Sequence, residues 1–286
     1  IPAMNMSAMD VPVMEAYTTK AILGGMTMAM ELEVATLKQE LTQVVCKNVA
    51  GMEFYDGLLD KVPVVVVRCG VGKVNAAMCV QILNDVYQVS HVINTGVAGG
   101  LNAGLNIGDI LISNAALQHD MNVEPLGYAP GQIPGGDTLS FPADTQMKND
   151  AIACCKNVNP DINVMEGLVV SGDQFIAEQS VREHLIRDFH GDCAEMEGAA
   201  IAQAAYLNKL PFVIIRAISD KADHSAQMDY PTFEKQAAKH CANLVSAFVK
   251  SYQAKCWTKR NVGQEDLVTP EPYKPECMKK LLGIIG

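Results

Sequence analysis

Carboxylates and glycines cluster at three places where apolar runs of this 286-residue chain give way to polar sequence, and carboxylates so placed are candidates for proton transfer. The first is AMELEV, Ala29 to Val34, with Glu31 and Glu33 where a strand runs into a helix. The second is INTGVAGG, Ile93 to Gly100, whose glycines, Gly99 among them, let backbone approach a flat or sugar-like ligand. The third pairs AEMEGAA, Ala194 to Ala200, with RAISDKAD, Arg216 to Asp223. In AEMEGAA, Glu195 and Glu197 adjoin an otherwise apolar helix, where an inward-facing carboxylate is costly unless something hydrogen-bonds it. In RAISDKAD the apolar run PFVII leads into Arg216, Ser219 and Asp220. All three clusters fall at strand ends, and ligands of open α/β sheets bind outside the carboxyl ends of strands.

Each cluster also has a plainer explanation. A glutamate at a helix start is favoured by the helix dipole, a glycine run can be a tight turn, and Arg216 with Asp220 can be a structural ion pair. Two phosphate-binding motifs are excluded. INTGVAGG lacks the G-x-G-x-x-G spacing, and in CGVGKV Lys73 is followed by Val rather than Ser or Thr. The nine cysteines are scattered without CxxC pairs or His partners at metal-ligand spacing, which fits reduced thiols in a cytosolic protein and no metal. The formal charge is −10 with no Lys or Arg block, so neither nucleic acid nor an anionic membrane is expected as a partner. No apolar run reaches the roughly 18 to 20 residues of a membrane span. Residues 1–18 lack a basic segment followed by an apolar stretch, so no targeting signal is expected there.

The elements that must hold these residues alternate. AILGGMTMAM reads as a first strand and ELEVATLKQEL as a helix. VPVVVVRC, from Val62 to Cys69, is a continuous β-branched run of the kind covered on both faces. GVGKVNAAMCVQILNDVY reads as a turn opening a helix, and HVINT and DILIS as strands. Residues Gln118 to Thr145 hold several Pro and Gly with no apolar period, a long excursion of the kind that carries function. GLVVSGDQFI reads as strand and turn, followed by a helix near Ala177 to Arg187, a helix through EMEGAAIAQAAYL, the strand PFVIIRAIS and a helix from about Thr232 to Tyr252. The alternation predicts one three-layer α/β/α domain over residues 20–252 with a mixed, mostly parallel central sheet. An arm, 1–19, and a polar tail, 253–286, flank it.

NTGVAGG, the loop HDMNVEPLGYAPGQIPG, VSGDQFI, AEMEGAAIA and RAISDKAD, in this order, resemble the 5′-methylthioadenosine/S-adenosylhomocysteine nucleosidases of the purine nucleoside phosphorylase superfamily. The resemblance spans roughly Ala21 to Tyr252 and implies a nucleoside phosphorylase-like fold. It places the acid that protonates adenine at Asp220, with Ser219 orienting it, and the water-activating base at Glu33. Glu197 matches the carboxylate that holds the ribose hydroxyls, beside the Met196 backbone. Phe175 would stack on adenine and Ile176 contact it through its main chain. Ala29, Gly99 and Arg216 fall in the same motifs as substrate-binding positions. Val71, Val123, Leu126, Tyr128, Pro134 and Tyr230 match positions around the 5′-substituent, with Leu126, Tyr128 and Pro134 reaching in from a second subunit, so a homodimer is implied. One departure is Val97, where many relatives have Ser.

The implied reaction releases adenine from 5′-thio-substituted adenosines, a step of methionine salvage and of methyl-cycle by-product removal, in the cytoplasm and without a cofactor. Cleavage passes through a ribosyl cation, so the leaving base must be neutralised while water attacks the opposite face. Asp220 can serve as the acid near neutral pH only if burial favours its protonated form. Acid and base on opposite sides of the sugar predict inversion at the anomeric carbon. A phosphorylase is the nearest rival, but it would want an Arg near the first strand, and Gly24 to Val34 has none. A storage protein that keeps the fold without activity is the non-enzymatic rival, opposed by the presence of all three carboxylates. The preferred 5′-substituent, among methylthioadenosine, S-adenosylhomocysteine, 5′-deoxyadenosine and an aminofutalosine-type nucleoside, is not written in the apolar residues of that pocket.

Overall fold

The computed structural model describes residues 24–28, 31–222, 233 and 239–251, with side chains from Val34 onward. The arm 1–19, the tail 253–286, Ala29 and Tyr230 lie outside the described residues. Strand β1 (Gly24–Met28) leads to helix α1 (Glu31–Glu40), and β2 (Leu41–Val49), β3 (Met52–Leu59) and β4 (Val62–Arg68) follow as a meander. Then come α2 (Lys73–Asp85), β5 (Val92–Gly100), β6 (Ile110–Gln118), the short β7 (Phe141–Pro142), α3 (Thr145–Val158), β8 (Val164–Ser171), α4 (Gln179–Phe189), β9 (Cys193–Glu195), α5 (Gly198–Leu207) and β10 (Phe212–Asp220). Residues 239–251 form a further helix, α6.

The strands form one mixed sheet in the order β10-β6-β8-β9-β5-β1-β4-β3-β2, and an added β10–β5 pairing closes part of it into a ring. Pairings β1–β4, β1–β5, β5–β10, β6–β8 and β8–β9 are parallel. The meander β2–β3–β4 and the pairings β6–β10, β5–β9 and β6–β7 are antiparallel. The parallel ladders, the ring-closing β5–β10 pairing among them, thus occupy the heart of the sheet, and the antiparallel ones are the β2–β3–β4 meander and the shorter β6–β10, β5–β9 and β6–β7 pairings.

Burial follows the side-chain period of two. Along β4, Val64 and Val66 face a core with Val34 and Leu37 of α1, Met147 and Ala151 of α3, and Leu244 and Phe248 of α6. Val65 and Val67 face the opposite core, with Val80 and Leu83 of α2 and Ile201 and Ala205 of α5. Helices therefore cover both faces, which accounts for the unbroken valine run. A third cluster joins Leu185 and Phe189 of α4 to Leu101, Val170 and Ile176.

Several elements differ from the sequence reading. The hairpin β2–β3 was not legible: every residue of β2 between Leu41 and Val49 is exposed, so no apolar alternation marks it. Its turn uses Ala50 and Gly51, both at positive φ, and the next turn uses Asp60 and Lys61 in the same way, the geometry that suits strand twist in two-residue hairpins. GVAGG continues β5 rather than forming a turn. The excursion after Gln118 contains a single 3-10 turn, Glu124–Leu126, and the two residues of β7. Helix α3 was also missed; Asp144 caps it by accepting the Met147 N–H at 2.8 Å.

Candidate active site

A cavity of about 310 Å³ opens where β5 changes neighbours. The described part of β1 pairs with β5 up to Thr95, and β9 joins β5 at Gly99 and Gly100. Residues 95–99 of the intervening stretch line the cavity, together with residues 194–197 and the end of β10.

The end of β10 is shaped by a bulge. Ile218 pairs with Ala98 and Asp220 with Gly99, so Ser219 is the extra residue. Consecutive strand residues normally point to opposite faces, and a bulge re-aims them; here both Ser219 and Asp220 line the cavity. Asp220 is 3% exposed. Its Oδ1 accepts the Ala222 N–H at 2.7 Å, and the Ser219 hydroxyl donates to its Oδ2 at 2.9 Å. Arg182 of α4 fastens the exit of the strand, donating from Nε to the Lys221 carbonyl at 2.9 Å and from Nη2 to the Leu101 carbonyl at 2.9 Å. Gly99 is needed for this packing. A Cβ there would stand 2.8 Å from Asp220 Oδ1 and 2.8 Å from the Ala222 Cβ, so the space the glycine clears is occupied by the protein's own carboxylate.

Glu195 and Glu197 flank Met196 at the start of α5. Glu195 accepts the N–H groups of Glu197 at 3.2 Å and of Gly198 at 2.8 Å, a carboxylate at the positive end of a helix. It also takes the Ser171 hydroxyl and Arg216, whose Nη2 lies 2.5 Å away. Arg216 is 2% exposed and donates in addition to Asn94 Oδ1 and, at 3.1 Å, to the Ile215 carbonyl. The inward carboxylate at Glu195 is thus compensated, and Arg216 pairs with Glu195 rather than with Asp220. Glu197 Oε1 accepts the Gly72 N–H at 2.8 Å from the turn between β4 and α2. Cys193, beside these acids on β9, is fully buried, and that burial pushes its thiol well up from the usual value.

Of the residues singled out from sequence, Val71, Gly99, Phe175, Met196, Glu197, Arg216, Ser219 and Asp220 line this one cavity. Phe175 is 52% exposed and Val71 49%, so the two form an apolar wall open to solvent. Ile176 is buried in the cluster with Leu185 and Phe189 and does not line the cavity. Val123, Leu126, Tyr128 and Pro134 do not line it either; Leu126 is 74% exposed. Glu33 lies in the first turn of α1, which follows closely on Met28, and Met28 pairs with the cavity residue Thr95. Asn94 and Ser171, which hold the floor, were not singled out from sequence. Each is a lone small polar residue in an apolar strand, a signal shared with many structural positions. No group of metal-ligating side chains occurs among the described residues, no disulfide joins the described cysteines, and no described helix is long and apolar enough to cross a membrane.

Residues 20–250 match the sequence profile of the phosphorylase superfamily. Over 230 residues the chain is 40% identical to a 5′-methylthioadenosine/S-adenosylhomocysteine nucleosidase of Exiguobacterium sp., covering 79% of this chain and 97% of that protein. Among solved structures it resembles the nucleosidase of the same description from Colwellia psychrerythraea in complex with adenine, at 36% identity and a TM-score of 0.77, with 81% of this chain and 96% of that one covered. It is similar as well to the enzyme from Neisseria meningitidis in complex with methylthio-immucillin-A, at 35% identity and a TM-score of 0.78, over 80% and 99% of the two chains.

Proposed function

The chain belongs to the 5′-methylthioadenosine/S-adenosylhomocysteine nucleosidases of the phosphorylase superfamily, and we propose that it hydrolyses the N-glycosidic bond of 5′-thio-substituted adenosines to adenine and the thioribose. One observation carries the reading: two buried carboxylates, Glu197 at the start of α5 and Asp220 at the end of the next strand, β10, line the same cavity beside the aromatic face of Phe175.

In this reading Asp220, steadied by Ser219, delivers a proton to N7 of the departing adenine. Glu197, held by the Gly72 N–H, binds the ribose hydroxyls more tightly as positive charge develops on the ring, so it lowers the barrier rather than merely the binding energy. Glu33 takes a proton from the attacking water. Phe175 stacks on the base, the Met196 backbone borders it, and Ala29 and Gly99 shape the backbone around the sugar. Arg216, already committed to Glu195 and Asn94, serves as the charged floor. Attack on the face opposite Asp220 inverts the anomeric carbon.

The cavity is open on its Val71 and Phe175 side. A homodimer closes it: Leu126, Tyr128 and Pro134 of one protomer cover the 5′-substituent bound by the other, with Val123 and Tyr230 beside it. The high exposure of Leu126 supports this arrangement. The nucleoside substrates, and the absence of a disulfide among the described cysteines, fit a cytoplasmic enzyme, and the proposed roles call for no metal and no cofactor.

The test is an adenine-release assay in phosphate-free buffer on methylthioadenosine, S-adenosylhomocysteine, 5′-deoxyadenosine and an aminofutalosine-type nucleoside. Release from the first two without phosphate is expected. Strict dependence on phosphate, with a ribose 1-phosphate product, would turn the reading into phosphorolysis, and no release from any of the four would end it.

A further inference from the structure

Beside the mouth of the cavity three chain segments meet in a closed ring of charged groups. The backbone N–H of Lys73 donates to Asp173 Oδ1 at 2.8 Å, and the backbone N–H of Asp173 donates to Asp120 Oδ2 at 3.0 Å. The Lys73 ammonium completes the circuit on Asp120 Oδ1 at 2.5 Å. It also donates to Gln118 Oε1 at 3.1 Å, and Gln118 Nε2 donates to Gln203 Oε1 of α5 at 2.5 Å. The ring therefore ties the turn into α2, the end of β6 and the loop after β8 to one another and to α5.

Each arm borders the site. Gly72, which donates to Glu197, is the residue before Lys73, and Phe175 follows Asp173 by two positions. The turn has no slack: Gly72 has φ +94°, and a Cβ there would stand 3.0 Å from Asp173 Oδ1. The side chains of Lys73 and Asp120 are 19% and 16% exposed, so solvent screens them less than an ordinary surface pair. Burial works against the Asp120 carboxylate, yet the Lys73 ammonium and the Asp173 N–H outweigh it and hold its pKa below the usual value.

We propose that Lys73 is a positioning residue for the hydrolysis: through Asp120 and Asp173 it fixes the 70–73 turn, and with it the Gly72 N–H that aims the Glu197 carboxylate. This rests on the reading of Glu197 as the ribose-binding group. A carboxylate that must tighten its hold in the transition state depends on prior orientation, and a displacement of about 1 Å costs up to about 100-fold in rate. The ring's second effect, on the loop bearing Phe175, is to keep the stacking wall at its distance from Val71.

The experiment measures kcat and KM for adenine release by wild type, Lys73→Met, Lys73→Arg and Asp120→Asn, the first also in a Glu197→Gln background, well below each variant's unfolding temperature. Lys73→Met is expected to lower kcat by about 10- to 100-fold with KM changed by less than about three-fold, and Lys73→Arg to recover most of the loss. In the Glu197→Gln background the same change should cost little, because neighbours that act through one another are not additive. A Lys73→Met enzyme that keeps wild-type kcat while merely melting lower overturns the inference, as does an equal penalty in both backgrounds. Should Lys73→Met fail to fold, Asp120→Asn, which keeps one oxygen acceptor, turns the other into an amide donor and removes the charge, must show a comparable kcat loss; normal kcat there overturns it too. A wild-type enzyme that releases no adenine would instead overturn the function on which the inference rests.

Discussion

On the floor of the cavity, Glu195 takes the Arg216 guanidinium, the Ser171 hydroxyl and two backbone N–H groups at the start of α5. On its wall, two residues along, Glu197 takes the Gly72 N–H from a turn on a separate segment. The two acids are chemically identical and almost equally buried, at 8% and 6% exposure. What separates them is the source of their donors. Glu195, at the end of β9, is bound by the first N–H groups of α5 and by residues of the strands β8 and β10, so its position is fixed by the core. Glu197 is aimed by a turn that a ring of charged side chains must hold. A carboxylate locked into the core maintains shape, whereas one aimed across a cavity can bind a ligand.

This contrast can be tested from its strongest consequence downward. Asp220→Asn removes the carboxyl group proposed as the proton donor and should lower adenine release by about 10²- to 10⁴-fold, while substrate binding remains measurable by calorimetry; near-normal turnover would remove Asp220 from that role. Glu33→Gln should act alike. On the floor, Glu195→Gln strips a buried guanidinium of its countercharge and should cost about 3–5 kcal/mol of stability, read from urea unfolding. Glu197→Gln, by comparison, should leave the unfolding midpoint nearly unchanged and reduce kcat. If the two glutamates exchanged these phenotypes, the division between floor and wall would fail.

A smaller effect is expected where the two regions touch. Gly99→Ala forces a methyl group against Asp220 and Ala222, an overpacking worth about 1–3 kcal/mol, and its loss of activity should exceed its loss of stability. Smallest of all is a pH effect away from the reaction. His119 is buried, its Nε2 finds no hydrogen-bond partner among the described residues, and burial lowers its pKa. The folded state therefore prefers the neutral ring, while the unfolded chain takes up a proton near pH 6.5. Stability should fall as pH drops below that value, by at most about 1.4 kcal/mol per pH unit, until the folded ring protonates as well. Urea midpoints between pH 7 and 5 for wild type and His119→Leu would show it: the variant should lose less, and equal slopes would assign the dependence to other groups.

The parts of the molecule legible in its sequence are those where one physical constraint dominates. VPVVVV and PFVII are apolar without interruption because helices cover both faces of their strands, and the acids at strand ends stand out against them. The exposed strand β2 carries no such signature, and its hairpin turns, Ala50–Gly51 and Asp60–Lys61, lack the usual Asn-Gly pair. The site was legible as a set of acids but not in its division of labour. Nothing in EMEG says that Glu195 will meet Arg216 and Glu197 will meet Gly72, because those donors come from β10 and from the turn before α2. Nor does RAISD announce the bulge at Ser219 that turns two consecutive side chains into one cavity. The glycines of GVAGG were read as room for a ligand; at Gly99 the room is taken by Asp220.

The ring closure of the sheet also bears on how the enzyme comes into being. Strand β5 meets β10 along a ladder in which Val92 faces Phe212 and Gly99 faces Asp220, partners that a nascent chain synthesises far apart in time. Pairings between such distant segments form slowly, since the loop between them must close before they reward it. The cavity therefore cannot arise in any amino-terminal fragment that stops short of β10, and the first release of adenine by a refolding sample would mark the moment at which the last long-range ladder has zipped.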